Sequence, residues 1–235
     1  MGTDKTPFTC SLSRGERILG LIYLPLHVFA LPILLGIFTS VNTVPLSDAQ
    51  LSTIYYLIGL VFVLLFLRRG LRRDWDRFLD SKLKTLLALI LAYLISVVLS
   101  YVVSIALLLI LGDGQSPNDS AITDVVSTNY HGMLAALVFL SPVVEETLFR
   151  GVLFGALRER SRAAAYIVST AVFSLYHVWQ YAAASMDASM LIYALQYIPA
   201  SVALAWCYER TGSLWTPMLY HAMNNLASLL LLNWM

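Results

Sequence analysis

Two adjacent glutamates and an arginine, Glu145, Glu146 and Arg150, lie inside an otherwise apolar stretch of the chain. A charge near the centre of a membrane-spanning helix costs roughly 3 kcal/mol or more, so such residues usually face the interior of a bundle and mark a functional site. Glu146 and Arg150 are four residues apart and share a helical face, where they can neutralise each other. Glu145 points about 100° away and stays available as a general base, which takes a proton from an attacking water.

Two histidines and an asparagine in later apolar stretches extend this polar set. His177 follows Phe173 by four residues and Asn225 follows His221 by four, so each pair shares a helical face. A histidine beside a carboxamide offers metal ligands or two donors for a developing oxyanion. The helical rise places these polar side chains and Glu145 at depths of about 12 to 20 Å from one membrane face. Each feature alone is open to a structural interpretation, such as a salt bridge or a helix-joining hydrogen bond. Together they predict one site built from three helices.

The elements that must hold this site are membrane-spanning helices. The chain is 59% hydrophobic and 12% charged, whereas a soluble domain has about 25% charged residues. We therefore predict an all-α, polytopic transmembrane helix bundle that forms one integral membrane domain over residues 1–235, without a nucleic-acid partner. The predicted spans number about seven, at residues 18–38, 54–67, 85–111, 133–154, 163–181, 188–208 and from 214 onwards. Residues 112–132 are expected to form a polar loop.

The most basic stretch, residues 68–84, leaves two interpretations open. Its apolar residues have helical spacing, which favours an amphipathic helix on the membrane surface. A solvated basic loop that only sets the topology fits the composition equally well.

Orientation follows from the distribution of positive charge. A cytoplasmic N-terminus places 14 of the 15 lysines and arginines on the cytoplasmic side, and the last is Arg150. The outer connections then carry only acidic residues, namely Asp48, Asp113, Asp119, Asp124 and Asp187. The positive-inside rule therefore predicts a cytoplasmic N-terminus and a C-terminus on the opposite side. Lys5 belongs to the cytoplasmic group. We expect the cavity of the site to open towards the cytoplasm.

The order of the three motifs resembles the CPBP family of intramembrane endopeptidases, which includes CaaX prenyl proteases and prokaryotic Abi or bacteriocin self-immunity proteins. The motifs are Glu-Glu-x-x-x-Arg from Glu145, Phe-x-x-x-His from Phe173 and His-x-x-x-Asn from His221. The resemblance covers residues 133–235, the expected protease core, whereas the spans within residues 18–111 carry no such motif. It implies a multi-pass protein of a prokaryotic cell membrane.

The resemblance also implies roles for the site residues. Glu145 would be the general base for hydrolysis of a peptide bond, and His177 would hold and activate the water. His221 and Asn225 would stabilise the oxyanion, while Glu146, Arg150 and Phe173 would support the site. The implied substrate is a membrane-associated peptide or protein, lipidated or not, in contact with the lipid bilayer.

Two questions stay open at this level. A zinc ion would be held by Glu145, His177 and His221, but a carboxylate with a histidine can activate water unaided, so no cofactor is the preferred interpretation. The alternative function is a non-catalytic immunity or regulatory protein that binds a bacteriocin or a signalling partner.

Overall fold

The computed structural model describes residues 8–41, 46–112 and 116–234, and no strand occurs among them. Lys5 and Asp113 lie outside the described residues. The α-helices are α1 (Arg14–Pro25), α2 (Leu31–Val41), α3 (Asp48–Phe62), α4 (Arg68–Asp80), α5 (Lys82–Leu111), α6 (Pro117–Leu134), α7 (Ser141–Glu145), α8 (Gly155–Arg158), α9 (Arg162–Tyr176), α10 (Trp179–Ser185), α11 (Ile198–Thr211) and α12 (Trp215–Trp234). Four π-helical stretches and one 3₁₀ helix connect some of these elements, at Leu26–Ala30, Val63–Leu67, Ala135–Leu140, Glu146–Phe154 and Ala188–Tyr197.

These elements form a helical membrane bundle, as the composition predicts. Five stretches of the described chain are long and apolar enough to cross a bilayer, namely Arg14–Val41, Asp48–Asp80, Lys82–Leu111, Asn129–Arg158 and Ala188–Thr211. The remaining two predicted spans correspond to α9 and α12, which are helical but are not among these five. The count of seven spans therefore stays a prediction.

The stretch Asn129–Arg158 forms the centre of the bundle. In its most apolar part 61% of the residues are buried, against 11% for α5, which presents most of its side chains outwards. Val144, Leu148, Phe149 and Val152 have no exposed surface at all. The glutamates of the first motif are therefore carried by the most enclosed helix, as expected for charged groups that must avoid lipid.

Two sequence-based expectations about elements are wrong. Within residues 112–132, which were expected to form a polar loop, the part from Pro117 onwards belongs to α6, whose start is capped by the Ser116 hydroxyl accepting from the Asp119 backbone amide. The prediction missed this helix because polar side chains interrupt its apolar pattern, and some of them, such as Asp119, line a cavity inside the bundle. The predicted span 163–181 is not continuous, since the α-helix ends at Tyr176 and restarts at Trp179.

The basic stretch is helical, which excludes the interpretation as a loop. Helix α4 ties the N-terminal segment to the turn before α12 through its buried Asp74. One Asp74 carboxylate oxygen accepts from the Ser11 hydroxyl at 2.7 Å and from the Leu214 backbone amide at 3.0 Å. The Ser213 hydroxyl donates to the Asp74 carbonyl at 2.8 Å. Because α12 carries His221, this connection helps to fix the position of the site.

Apart from the pair of Arg150 with Glu146, the ion pairs of the basic residues gather at one end of the bundle. Arg17 pairs with Glu159 at 2.5 Å, and both Arg158 and Arg162 pair with Glu209. Helices far apart in sequence thus bring their basic ends together, as the charge distribution predicts. The direction of the bundle relative to the cytoplasm stays a prediction.

Candidate active site

Glu145 is the centre of the candidate site, at the end of α7. Its side chain is 2% exposed, and its Oε2 atom lies 4.0 Å from Nε2 of His177 and 4.0 Å from Nε2 of His221. Among the described residues, this oxygen has no hydrogen-bond partner. The other oxygen, Oε1, accepts a hydrogen bond of 2.7 Å from the hydroxyl of Tyr56 on α3. One carboxylate oxygen is therefore held in place while the other faces two imidazoles.

His177 is positioned by the end of helix α9. Its ring Nδ1 lies 2.9 Å from the carbonyl oxygen of Phe173, four residues earlier, and a carbonyl can only accept, so Nδ1 donates. This bond satisfies a carbonyl that the end of the helix leaves without a partner. The ring of Tyr197 stacks on the imidazole with centroids 4.3 Å apart. In the neutral tautomer that this bond selects, Nε2 presents its lone pair towards Glu145.

His221 is held by the second glutamate. Its Nδ1 lies 2.8 Å from Oε1 of Glu146, and the same oxygen accepts a bond of 3.2 Å from Arg150. Arg150 also donates to the Ser201 hydroxyl at 3.0 Å, and its guanidinium lies 4.0 Å above the Phe173 ring. The predicted pairing of Glu146 with Arg150 is therefore present, and Phe173 contacts both this pair and His177.

Asn225 lies one turn beyond His221 and lines the same cavity. Its Nδ2 donates to the carbonyl oxygen of Leu137 at 2.8 Å. A carboxamide nitrogen carries two hydrogens, so a second one remains for another acceptor. The structure thus brings six of the seven predicted site residues into contact, and Asn225 lines the same cavity, whereas their chemical roles stay predictions.

Sequence reasoning missed Tyr56, Tyr197 and Ser201, which complete the surroundings of the site. Tyr56 belongs to an apolar run in which a tyrosine has no distinctive spacing. A link to Glu145, 89 residues away, depends on the packing of α3 against α7. No signal in a single sequence could have shown this contact.

The helix that follows Glu145 has unusual geometry. Glu146–Phe154 is π-helical, and all but one of its residues are buried. Stretches of π-helix are rare and are frequently found at functional sites, because the wider turn changes the direction of the side chains. Here it begins at the residue after the candidate base.

A cavity of about 1290 Å³ leads away from the site. Its wall includes Glu145, His177 and His221 at one end and Asp48 and Asp124 at the other. The expected opening towards the cytoplasm stays a prediction, because the direction of the bundle in the membrane is itself a prediction. The described lining extends to the end opposite the clustered basic residues, because α6 and the adjoining ends of α2, α3 and α12 form its walls.

Asp119 links this cavity to the site through Tyr197. The Tyr197 hydroxyl donates to the Asp119 carboxylate at 3.0 Å, while its ring stacks on His177. Burial raises the pKa of Asp119 above its usual value, and the hydrogen bond from Tyr197 opposes this shift.

A zinc site needs three or four nitrogen, sulfur or oxygen ligands around one position. Glu145, His177 and His221 present three groups of suitable chemistry. In the part of the chain that the structure describes, however, no group of three or more His, Cys, Asp or Glu residues is arranged so that it could hold a metal ion. The preference for a reaction without a cofactor stays a prediction.

The segment that carries the three motifs is similar to known membrane peptidases. Residues 127–227, less than half of the chain, match the family model of the Rce1-like type II CAAX prenyl endopeptidases, and they contain all three motifs. A Bacillus subtilis (strain 168) protein named YdiL, described as a candidate membrane peptidase, is 30% identical over 112 residues. That match covers 47% of this chain and 41% of the relative, so the chain spans about two fifths of the relative's length. No solved structure matches the chain.

The two matches support the resemblance to the CPBP family that the order of the motifs predicted. Together with the apolar helices, they support an integral membrane protein.

Proposed function

We propose that the protein is an intramembrane endopeptidase that hydrolyses a peptide bond of a membrane-associated substrate with a water activated by Glu145. One observation carries this proposal. The buried Oε2 atom of Glu145 has no described hydrogen-bond partner and faces Nε2 of both histidines at 4.0 Å. A water at ordinary hydrogen-bond distance, about 2.8 Å, from two of these atoms would bridge such a gap. Three acceptors around one position suit a molecule that donates two hydrogens.

In the proposed reaction, Glu145 takes a proton from the water as the water oxygen attacks the peptide carbonyl carbon. The carbonyl π bond breaks, and the negative charge moves to the former carbonyl oxygen. Glu145 then gives the proton to the leaving nitrogen as the carbon–nitrogen bond breaks. The free Nδ2 hydrogen of Asn225 is a donor available to the oxyanion.

His221 can serve as the second donor only when both ring nitrogens carry hydrogens. The Glu146 carboxylate, 2.8 Å from its Nδ1, would stabilise the charge of that doubly protonated ring. Arg150 and Ser201 would keep Glu146 in position. The residues of the first and third motifs then act as one assembly.

The test is hydrolysis of a quenched peptide library, including a farnesylated CaaX peptide, by the purified protein. We expect cleavage by the wild-type protein and its loss in Glu145→Gln and His177→Ala variants that keep the helical circular dichroism of the wild type. Glu159→Gln, which changes a partly exposed glutamate at the other end of the bundle, is the matched control and should retain activity.

Retained cleavage in Glu145→Gln would contradict the assignment of the base. Loss of wild-type activity after chelation, with recovery on addition of zinc, would contradict the reaction without a metal. Retained biological function in Glu145→Gln would instead favour the non-catalytic immunity role.

A further inference from the structure

The cavity that reaches the candidate site is lined by acidic groups. Asp48, Asp119 and Asp124 lie along its wall, and Glu145 lies at its inner end. Asp48 and Asp124 are exposed, so they would face an arriving ligand before it reaches the site. Among the described residues that line the cavity, none is a lysine or an arginine. The electrostatic field in the cavity therefore favours positive charge and disfavours negative charge.

The arginine nearest in sequence to Glu145 does not compensate these charges. Arg150 has no exposed surface and is absent from the described lining. Its guanidinium is already bound by Glu146, Ser201 and the ring of Phe173. A carboxylate that entered the cavity would find no lysine or arginine in the described lining with which to pair.

Two further observations point to the kind of ligand. The buried Glu145 oxygen without a described partner is directed towards the same space, where it would meet a donor and not an acceptor. Tyrosines are also abundant in the wall, at positions 55, 56, 101, 176, 181, 197 and 220. Tyrosine rings attract cations through their faces, and their hydroxyls bind peptide groups.

We infer that the substrate segment bound in this cavity is neutral or basic and carries no free carboxylate. The inference rests on the proposed function and names its substrate class. It favours cleavage within a longer chain, since a peptide cut close to its own C-terminus would bring a carboxylate between Asp119, Asp124 and Glu145. Like charges placed together in an interface are strongly unfavourable, particularly where water is excluded.

The test measures binding separately from hydrolysis. Fluorescent peptides with one apolar Leu/Ala segment and a single variable position, Lys, Gln or Glu, are titrated against the full-length Glu145→Gln protein in phosphatidylcholine nanodiscs. A second pair differs only in a C-terminal amide or carboxylate. We expect the Lys peptide to bind at least about tenfold more tightly than the Glu peptide, and the amide more tightly than the carboxylate, with smaller ratios at high salt. Equal binding, a preference for Glu, or no binding of any member would overturn the inference.

Matched variants locate the origin of the preference. Asp119→Asn with Asp124→Asn removes two charges, while the carboxamide introduced at position 119 can still accept from Tyr197, and we expect the Lys/Glu ratio to fall at least about threefold. Asp187→Asn changes an exposed acid outside the described lining and should leave the ratio unchanged. Should the double variant misfold, Asp48→Asn provides the same comparison. An unchanged ratio in each folded cavity variant would contradict the assignment to these residues.

The outcome for the inference is distinguishable from that for the proposed function. A preference for Lys without hydrolysis by the wild-type protein would support the substrate class and contradict the protease activity. Hydrolysis with equal rates for the Lys and Glu peptides, together with equal binding, would support the protease and overturn the substrate class.

Discussion

Glu145 contacts residues from two parts of the chain, one inside and one outside the segment that matches the family model. His177 and His221 lie within the matched segment, residues 127–227, whereas Tyr56 lies 71 residues before it. The Tyr56 hydroxyl donates to one carboxylate oxygen at 2.7 Å, and the other oxygen has no hydrogen-bond partner among the described residues. We therefore expect Tyr56 to be a positioning residue that acts through Glu145.

Tyr56→Phe should reduce kcat/KM about ten- to hundredfold, because a hydrogen bond to a charged group contributes about 1.5 to 3 kcal/mol. The measurement is hydrolysis of the best library peptide by purified wild-type and variant protein. Tyr55→Phe is the matched control, since the neighbouring hydroxyl bonds to His27 and Tyr176 but not to Glu145. An equal loss in both variants would show a general effect on packing and contradict the positioning role.

Glu146 and Arg150 form an ion pair in which both side chains are buried. Arg150→Met should lower the free energy of unfolding by about 3 to 5 kcal/mol, because it leaves an uncompensated carboxylate in the interior. Glu146→Gln together with Arg150→Met should cost less than Arg150→Met alone.

Unfolding of these two variants in detergent, followed by circular dichroism, provides the measurement. Arg160→Met, which removes an exposed arginine, is the control and should change stability little. A double variant less stable than Arg150→Met would contradict the idea of a mutually neutralised pair.

The spacing of residues in apolar runs was sufficient to predict the contacts within two of the motifs, whereas the roles of the seven site residues stay predictions. Glu146 with Arg150 and Phe173 with His177 are four residues apart, and in both pairs the contact is present. The partners Tyr56, Tyr197 and Ser201 were beyond prediction because each reaches the site from another helix. Local periodicity carries no information about such contacts.

At the scale of elements, helix α4 has a role that its basic composition hides. Most of its charges are exposed, yet Asp74 is buried and joins Ser11 to the start of α12. This helix therefore does more than set topology, because it anchors the helix that carries His221.

Asp74→Ala should lower the free energy of unfolding by about 2 to 3 kcal/mol, since the Leu214 amide and the Ser11 hydroxyl lose a buried acceptor. Thermal unfolding in detergent micelles is the measurement. Asp76→Ala, two residues away on the exposed face, should change stability by no more than about 0.5 kcal/mol. Equal effects of the two substitutions would argue against an anchoring role for α4.

The elements that sequence analysis predicted worst are those with mixed polarity. Helix α6 contains Asp119, Asp124 and other polar side chains, so it lacks the apolar pattern on which the prediction of spans relies. The break after Tyr176 has a different cause, since the apolar composition continues through it. There the side chain of His177 donates a hydrogen bond to the carbonyl oxygen of Phe173, an interaction that composition does not reveal.

For the whole molecule, the distribution of charge predicts a direction in the membrane. Arg69 and Asp187 are both exposed, and the prediction places them on opposite sides. In a Cys10→Ser background, a cysteine introduced at Asp187 should react with a membrane-impermeant maleimide on intact cells. A cysteine introduced at Arg69 should react only after permeabilisation, and the parent with its buried Cys207 measures the background. The reverse pattern would invert the topology and place the acidic end of the cavity in the cytoplasm.

The contact between Tyr56 and Glu145 also bears on how the chain could be divided. The segment that sequence comparison identifies is not the smallest piece expected to work, because the candidate base takes one of its hydrogen bonds from α3. A graft of residues 127–227 onto a foreign set of helices would carry every motif and still lack this partner. A chain cut between Gly112 and Ser116, by contrast, keeps each half of the contact on its own fragment, so activity regained on co-expression would report directly that the two halves had reassembled.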